Sequence, residues 1–190
     1  MMRIITGKAR GVRLDTLEGL ATRPTAEKVK EAVFSMIQFD IEGRRVLDLF
    51  AGSGQMALEA LSRGAKEAVL VDASKEAADI IRKNALKTKL FPDVKVIVND
   101  YKLAIRQLSG EGKFDIVFCD APYAAKLTGD ALDRLLKADL LSDGATVITE
   151  SDDDKTFEGN GLDLVKQNHY GKAYITVYKK TDADPDAPQN

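Results

Sequence analysis

From residue 45 onward, short β-branched runs alternate with helical stretches, and this alternation constrains the fold of the chain more than any other feature. Such spacing defines repeated strand-helix-strand units and therefore a mostly parallel sheet with helices on both faces. The expected strands are Arg45 to Leu49, Ala68 to Asp72, Val94 to Val98, Phe114 to Asp120 and Ala145 to Thr149. Ser74 is placed to cap a helix whose Ala77, Ile80, Ile81 and Leu86 lie near one face, and Leu127, Ala131, Leu132 and Leu135 mark another apolar stripe. After these, Leu162 to Gln167 and Ala173 to Lys179 flank Asn168-His169-Tyr170-Gly171 and read as a terminal antiparallel hairpin. That makes seven strands.

Ahead of the alternating region, Arg3 to Thr6 and Gly11 to Leu14 read as a small basic hairpin. The spacing of Val29, Ala32, Val33, Met36 and Ile37 predicts a helix from about Ala26 to Gln38, with Thr25 as its cap. The expected organisation is an extension of hairpin plus helix over residues 1–40, an α/β domain over 41–180 and a disordered acidic tail over 181–190. With 44% hydrophobic and 31% charged residues the chain carries enough apolar material for one core. A single cysteine, Cys119, rules out an internal disulfide, and one histidine, His169, leaves too few ligands for a common zinc module, so no metal is expected. No apolar run is long enough to span a bilayer, and the start has no signal-peptide core, which fits a cytoplasmic protein with no membrane partner.

The net charge of −2 argues against coating nucleic acid by bulk positive charge. The distribution is uneven. Within residues 1–30, Arg3, Lys8, Arg10, Arg13, Arg23, Lys28 and Lys30 face only Asp15, Glu18 and Glu27, seven bases less three acids, or +4.

The strongest local signal is Val46-Leu47-Asp48-Leu49-Phe50-Ala51-Gly52-Ser53-Gly54, a buried strand that runs into a glycine loop and then a helix ending near Arg63-Gly64. Gly52 and Gly54 allow a ligand to approach the backbone, and the helix start offers free N–H groups. Asp72 ends the next strand eighteen residues past Gly54, where a carboxylate can accept from both hydroxyls of an adenosine ribose. Taken alone, Gly52-Ser53-Gly54-Gln55-Met56-Ala57 also satisfies the dinucleotide pattern, so a nicotinamide or flavin cofactor stays open at this point.

Asp48 tilts the choice, because an acid at that strand end repels a pyrophosphate and attracts the sulfonium and ammonium of S-adenosylmethionine. The second discriminator is Phe114-Asp115-Ile116-Val117-Phe118-Cys119-Asp120-Ala121-Pro122-Tyr123. An exocyclic amine on a base is a poor nucleophile because its lone pair is delocalised into the ring. Two acceptors holding its N–H bonds turn that lone pair toward a methyl donor, and Asp120 with the Ala121 carbonyl supplies such a pair. Pro122 would keep the acceptors aimed, and Tyr123 offers a ring on which a displaced base can stack. Cys119 reads as core and His169 as a turn residue.

The segment from Asp48 to Gly54 together with Asp120-Ala121-Pro122-Tyr123 resembles the Rossmann-like, S-adenosylmethionine-dependent amino-methyltransferases with a D/N-P-P-Y/F motif. With Arg3-Ile4-Ile5-Thr6-Gly7, Gly11-Val12-Arg13-Leu14, Arg23-Pro24-Thr25 and Glu59-Ala60-Leu61-Ser62-Arg63-Gly64-Ala65, the chain is more narrowly similar to the RsmD-type 16S ribosomal RNA guanine-N2 methyltransferases over about residues 2–180. The resemblance implies a Rossmann-like methyltransferase fold and methylation of one guanine N2 in 16S rRNA, within the small subunit or an assembly intermediate, with no obligate protein partner. It implies that Asp48, Phe50, Ala51, Gly52, Ser53, Gly54, Asp72, Ala73, Asp100 and Tyr101 surround the cofactor. It places Asp100 beside the adenine, with Asn99 or Tyr101 framing that ring, although Asp100 also reads as the cap of the following helix. It also implies that Arg23 and Thr25 belong to a segment folded over the site, although they read equally as a helix entry, and Arg10 and Arg13 are expected on the substrate-facing basic segment. One departure is plain: Ala121 stands where that family usually has its first Pro, a change that keeps the accepting carbonyl and loosens the loop.

A DNA amino-methyltransferase is the nearest alternative, but one domain of this size leaves no module for reading a long duplex. A nucleotide-dependent oxidoreductase and a noncatalytic ribosome-assembly protein are the more distant ones.

Overall fold

The computed structural model describes residues 2–17, 24–121 and 125–181. Arg23, Pro122, Tyr123 and the tail from residue 182 lie outside them, as does the side chain of Thr25. In chain order the elements are α1 (Pro24–Met36), β1 (Arg45–Asp48), α2 (Gln55–Ser62), β2 (Glu67–Asp72), α3 (Lys75–Lys87), β3 (Val94–Val98), α4 (Tyr101–Leu108), β4 (Phe114–Cys119), α5 (Ala125–Lys137), β5 (Leu141–Ser151), β6 (Leu162–Tyr170) and β7 (Ala173–Lys180). They form one seven-stranded sheet in the order β3-β2-β1-β4-β5-β7-β6. Strands β1 to β5 run parallel, and β7 is antiparallel to both β5 and β6. The strand order reverses direction between β1 and β4, the kind of switch point at which open α/β sheets bind ligands, beyond the carboxyl ends of their strands.

Because successive strand residues face opposite sides, each central strand feeds two cores. One face packs Val46, Phe118, Ile148 and Ile175 under α1 and α2, and the other packs Leu47, Val117, Val147 and Tyr178 under α4 and α5. Helix α3 starts at Ser74, whose hydroxyl accepts from Ala77 N–H as expected. Its apolar face is displaced from the expected one: Ala77, Ala78, Ile81 and Ala85 are buried, and Leu86 is 62% exposed because Asn84 takes the inward position. The buried amide of Asn84 donates to the carbonyls of Ser53 and Asp15 and accepts from Asp15 N–H, so it ties the glycine loop to the N-terminal segment. Strand β5 is longer than the apolar run suggests, and a bulge between Phe114 and Ile116 absorbs the register shift.

The expected N-terminal hairpin is reduced to a single bridge between Arg3 and Arg13, supported by Ile4 N–H to Val12 C=O and Leu14 N–H to Met2 C=O. The reason is competition for donors: Ile5 and Thr6 N–H groups go to the Glu59 carboxylate at 2.7 and 3.0 Å instead of across a strand pair. Glu59 is fully buried and also meets Arg63 at 2.9 Å and Lys30 at 3.4 Å. The carboxylate thus accepts three hydrogen bonds and faces an ammonium, the kind of compensation under which a buried charge is tolerated. Gly7 completes the clamp, because a Cβ there would lie 1.8 Å from the Ser62 carbonyl oxygen. No helix among the described residues is long and apolar enough to cross a membrane.

Candidate active site

Successive parallel strands end in acids at the carboxyl rim of the sheet: Asp48 closes β1, Asp72 closes β2, Asp100 follows β3 and Asp120 follows β4. The glycine loop lies among them. Leu49 N–H donates to Phe118 C=O and Ala51 N–H to Val71 C=O, so the loop is stitched to β4 and β2 as it leaves β1. Gly54 (φ 77°) is required by conformation and by space, since a Cβ would meet Leu70 Cδ2 at 2.9 Å. Gly52 (φ 54°) has no heavy atom near the place a Cβ would occupy, so its open side is where a ligand can approach the backbone.

Asp72 is already engaged. Its two oxygens accept from Gly52 N–H at 2.8 Å and Ser74 N–H at 2.9 Å, holding the loop and the start of α3 together. Each carboxylate oxygen has a second lone pair, so acceptor capacity for a ribose diol remains. Asp48 is buried and accepts only a long bond, 3.3 Å, from Ala57 N–H at the start of α2. Burial, with the charges of Asp120 and Asp72 adding to it, pushes its carboxyl up to about 7. A cation placed beside it would favour the ionised form and bring that value back down.

Asp100 caps α4 through Lys102 N–H at 2.9 Å, and Asn99 in turn accepts from Asp100 N–H and donates its own N–H to Asp72 C=O. The capping role is therefore real, and it leaves the other Asp100 oxygen open at the rim. Tyr101 is placed differently from the expectation of a ring framing a ligand. It is buried, packs on Phe50 with centroids 5.4 Å apart, and donates to Asp130 on α5 at 2.6 Å. Burial and that hydrogen bond raise its hydroxyl to about 12, while Arg134 and Tyr101 hold Asp130 down at about 2. Phe50 is the partly exposed member of the pair; Ala51 and Ser53 are buried in the loop and Ala73 is exposed beside Asp72.

Asp120 is exposed at the rim and accepts no hydrogen bond from another described residue, although the protein around its carboxyl is enough to push it up. Ala121 beside it is buried. Below them a cavity of about 140 Å³ lies between α1 and the sheet, with Asp120, Lys30, Gln55 and Glu150 on its walls. A larger one, about 570 Å³, lies by the end of β5, bordered by Thr149, Phe157 and Tyr178, and Asp120 is not among its described lining residues. Cys119 is core, its thiol pushed up by burial, and His169 stacks on Tyr174 in the terminal hairpin. No cluster among the described residues could hold a metal ion.

The basic segment is less uniform than its charge count suggests. Lys30 is 2% exposed and paired inside with Glu59, Arg3 bridges Glu27 and Lys8 bridges Asp93. Arg10 and Arg13 are exposed and pair with no carboxylate among the described residues. They are not equivalent: the turn carrying Arg10 packs against Ser62 at the far end of α2, toward the amino ends of the strands, whereas Arg13 pairs with Arg3, whose carbonyl holds Lys30 by the cavity. The sequence reading missed Glu59, Lys30 and Glu150. Glu150 had a visible signal, an acid just after an apolar strand, like the other four.

This architecture recurs among solved proteins. The chain superimposes on a conserved hypothetical protein of Streptococcus pyogenes with a TM-score of 0.74 at 38% identity, covering 80% of this chain and 94% of that one. It matches a hypothetical protein of Thermus thermophilus with a TM-score of 0.78 at 28% identity, covering 93% and 98%. The fold and its glycine loop, with acids on neighbouring strand ends, define a Rossmann-like methyltransferase. The family described as Conserved hypothetical protein 95 matches residues 2–179. YlbH of Bacillus subtilis strain 168 is 34% identical over 94% of this chain and 99% of its own length. Ribosomal RNA small subunit methyltransferase D of Haemophilus influenzae is 34% identical over 81% of this chain and 80% of that protein, and its Escherichia coli namesake 33% over 88% and 80%. The chain belongs to this family, the RsmD-type methyltransferases.

Proposed function

We propose that the protein transfers a methyl group from S-adenosylmethionine to the exocyclic N2 amine of a guanine in 16S rRNA, on the small ribosomal subunit or an assembly intermediate in the cytoplasm. The observation that carries the reading is the set of acids along the carboxyl rim, with Asp120 free of hydrogen bonds from other described residues, next to a buried Asp48 whose carboxyl is pushed up by burial, and an open Gly52. Relatives named as ribosomal RNA small subunit methyltransferases support the choice of RNA.

The residues fit the cosubstrate. Asp72 and the Gly52 backbone would hold its ribose side, Asp100 its adenine and Asp48 its cationic end. S-adenosylmethionine supplies the methyl as an electrophile when bound. Asp120 and the Ala121 carbonyl accept the two N2–H bonds and turn the nitrogen lone pair out of the ring plane. A single ionised carboxylate also suits guanine, whose N1–H lies beside N2 as a second donor. Positioning then supplies most of the acceleration. Arg23, Thr25, Pro122 and Tyr123 complete the proposed substrate side, with Arg13 and Arg10 on the flanking RNA.

The test is transfer of labelled methyl to small subunits from cells lacking this gene, with naked 16S rRNA and duplex DNA in parallel. N2-methylguanine at one rRNA position is expected. Label in DNA or in no nucleic acid overturns the substrate. Asp120→Ala should lose at least about 100-fold in turnover and keep its affinity for S-adenosylmethionine.

A further inference from the structure

We propose that Glu150 is a positioning residue for this transfer, acting through Asp120 as a like charge across the wall of the cavity that the two share. The inference rests on the methyl-transfer reading above. In register, β4 and β5 run parallel with Cys119 opposite Thr149, so the next residues on the two strands, Asp120 and Glu150, are neighbours. Side-chain alternation puts both on the face of Phe118 and Ile148, the face covered by α1, and both line the 140 Å³ cavity there. Glu150, like Asp120, accepts no hydrogen bond from another described residue. In the pairing of β5 with β7, Glu150 lies opposite Ile175, which has no polar side chain to engage its carboxylate.

The other titratable groups around the cavity are few. From α1 comes Lys30, whose ammonium is held by Glu59 and the Arg3 carbonyl. Cys119 belongs to the core of the opposite face, and Asp48 of β1 is a further carboxyl near Asp120, itself pushed up by burial. Burial and the nearby Asp120 push the Glu150 carboxyl up to about 7, so the two acids titrate as a coupled pair.

The chemistry gives such a pair a use. As the N2 lone pair forms the N–CH3 bond, the S–CH3 bond breaks and its electrons stay on sulfur. The nitrogen becomes positive and must release one N–H proton. Asp120 is the acceptor in place, and a second negative charge next to it makes that proton uptake more favourable, both by raising basicity and by keeping the carboxylate turned toward a donor. Glu150 thus makes a better base of a residue that touches substrate without touching it itself.

The experiment compares wild type, Glu150→Gln and Glu150→Asp on small subunits over a range of pH. In Glu150→Gln, kcat should fall roughly tenfold at neutral pH and its acid limb should move to lower pH, because Asp120 loses a neighbouring negative charge; KM for S-adenosylmethionine should not change. Glu150→Asp, which keeps the charge, should recover most of the loss. Carboxyl-carbon NMR of Asp120 gives a readout that needs no turnover, and its titration midpoint should drop in Glu150→Gln. If wild type makes N2-methylguanine but the pH profile and midpoint are the same in the variant, the role of Glu150 is overturned alone. If wild type methylates no guanine N2, the functional reading fails and this inference with it.

Discussion

Two regions of the molecule hold carboxylates on the same side of the sheet, and they treat them in opposite ways. At Glu59, two backbone N–H groups, a guanidinium and an ammonium saturate one carboxylate and fasten the N-terminal segment to α1 and α2. At the carboxyl rim, Asp48, Asp120 and Glu150 share a neighbourhood with almost no donors, and two of them are pushed up to about 7. A saturated carboxylate is structural because its energy is already spent in the fold. An undersupplied one costs the fold something and has acceptor capacity left for a ligand, which is what a site for a cation and an amine requires.

The largest effect expected from breaking this contrast is at the saturated side. Glu59→Ala leaves the buried Lys30 ammonium without its counter-ion, held only by the Arg3 carbonyl, and takes the acceptor from two N–H groups; it should cost about 3–5 kcal/mol in urea unfolding. Adding Lys30→Met should return part of that loss; no recovery would mean that Lys30 is satisfied by the Arg3 carbonyl alone. At the rim the sign reverses. A carboxyl raised from its ordinary range to about 7 binds its proton more tightly in the folded protein, so it stabilises at low pH and that contribution is lost as pH rises through about 7. Asp48→Asn should therefore be more stable than wild type at pH 8, by roughly 2–4 kcal/mol, and lose that advantage near pH 4. Parallel unfolding curves at the two pH values would check it, and equal differences would show that Asp48 is not desolvated.

Asp72 sits between the two regimes, engaged by the backbone but open to more. Asp72→Ala should weaken S-adenosylmethionine binding by roughly 10- to 100-fold in calorimetry, with a smaller loss of stability from the freed Gly52 and Ser74 N–H groups. The smallest effect belongs to the surface. Reversing Arg13 to Glu should weaken subunit binding several-fold and lower the salt slope by about 1, and Arg10→Glu should do less because it lies at the other end of the sheet. Equal effects would show the RNA wrapping the whole flank.

The residues themselves announced much of this. Apolar runs with β-branched residues produced strands within a few residues of those observed, because a strand covered on both faces must be apolar throughout. The start of α3 at Ser74 and the glycines at 52 and 54 were also legible, since caps and left-handed backbone are local properties. So were Asp48, Asp72 and Asp120, which close strands in sequence.

What only the tertiary structure decided is which donors reach which acceptors. The N-terminal hairpin shrank because Glu59, more than fifty residues away, captured its N–H groups. Leu86 turned outward because Asn84 was needed by Ser53 and Asp15, Tyr101 turned inward to Asp130, and Lys30 left the basic surface for the core. Glu150 became a neighbour of Asp120 only through the register of β4 with β5. Local sequence determines a residue's conformation and its preference for burial. The energy of a buried charge depends on partners that chain topology alone brings within hydrogen-bond reach.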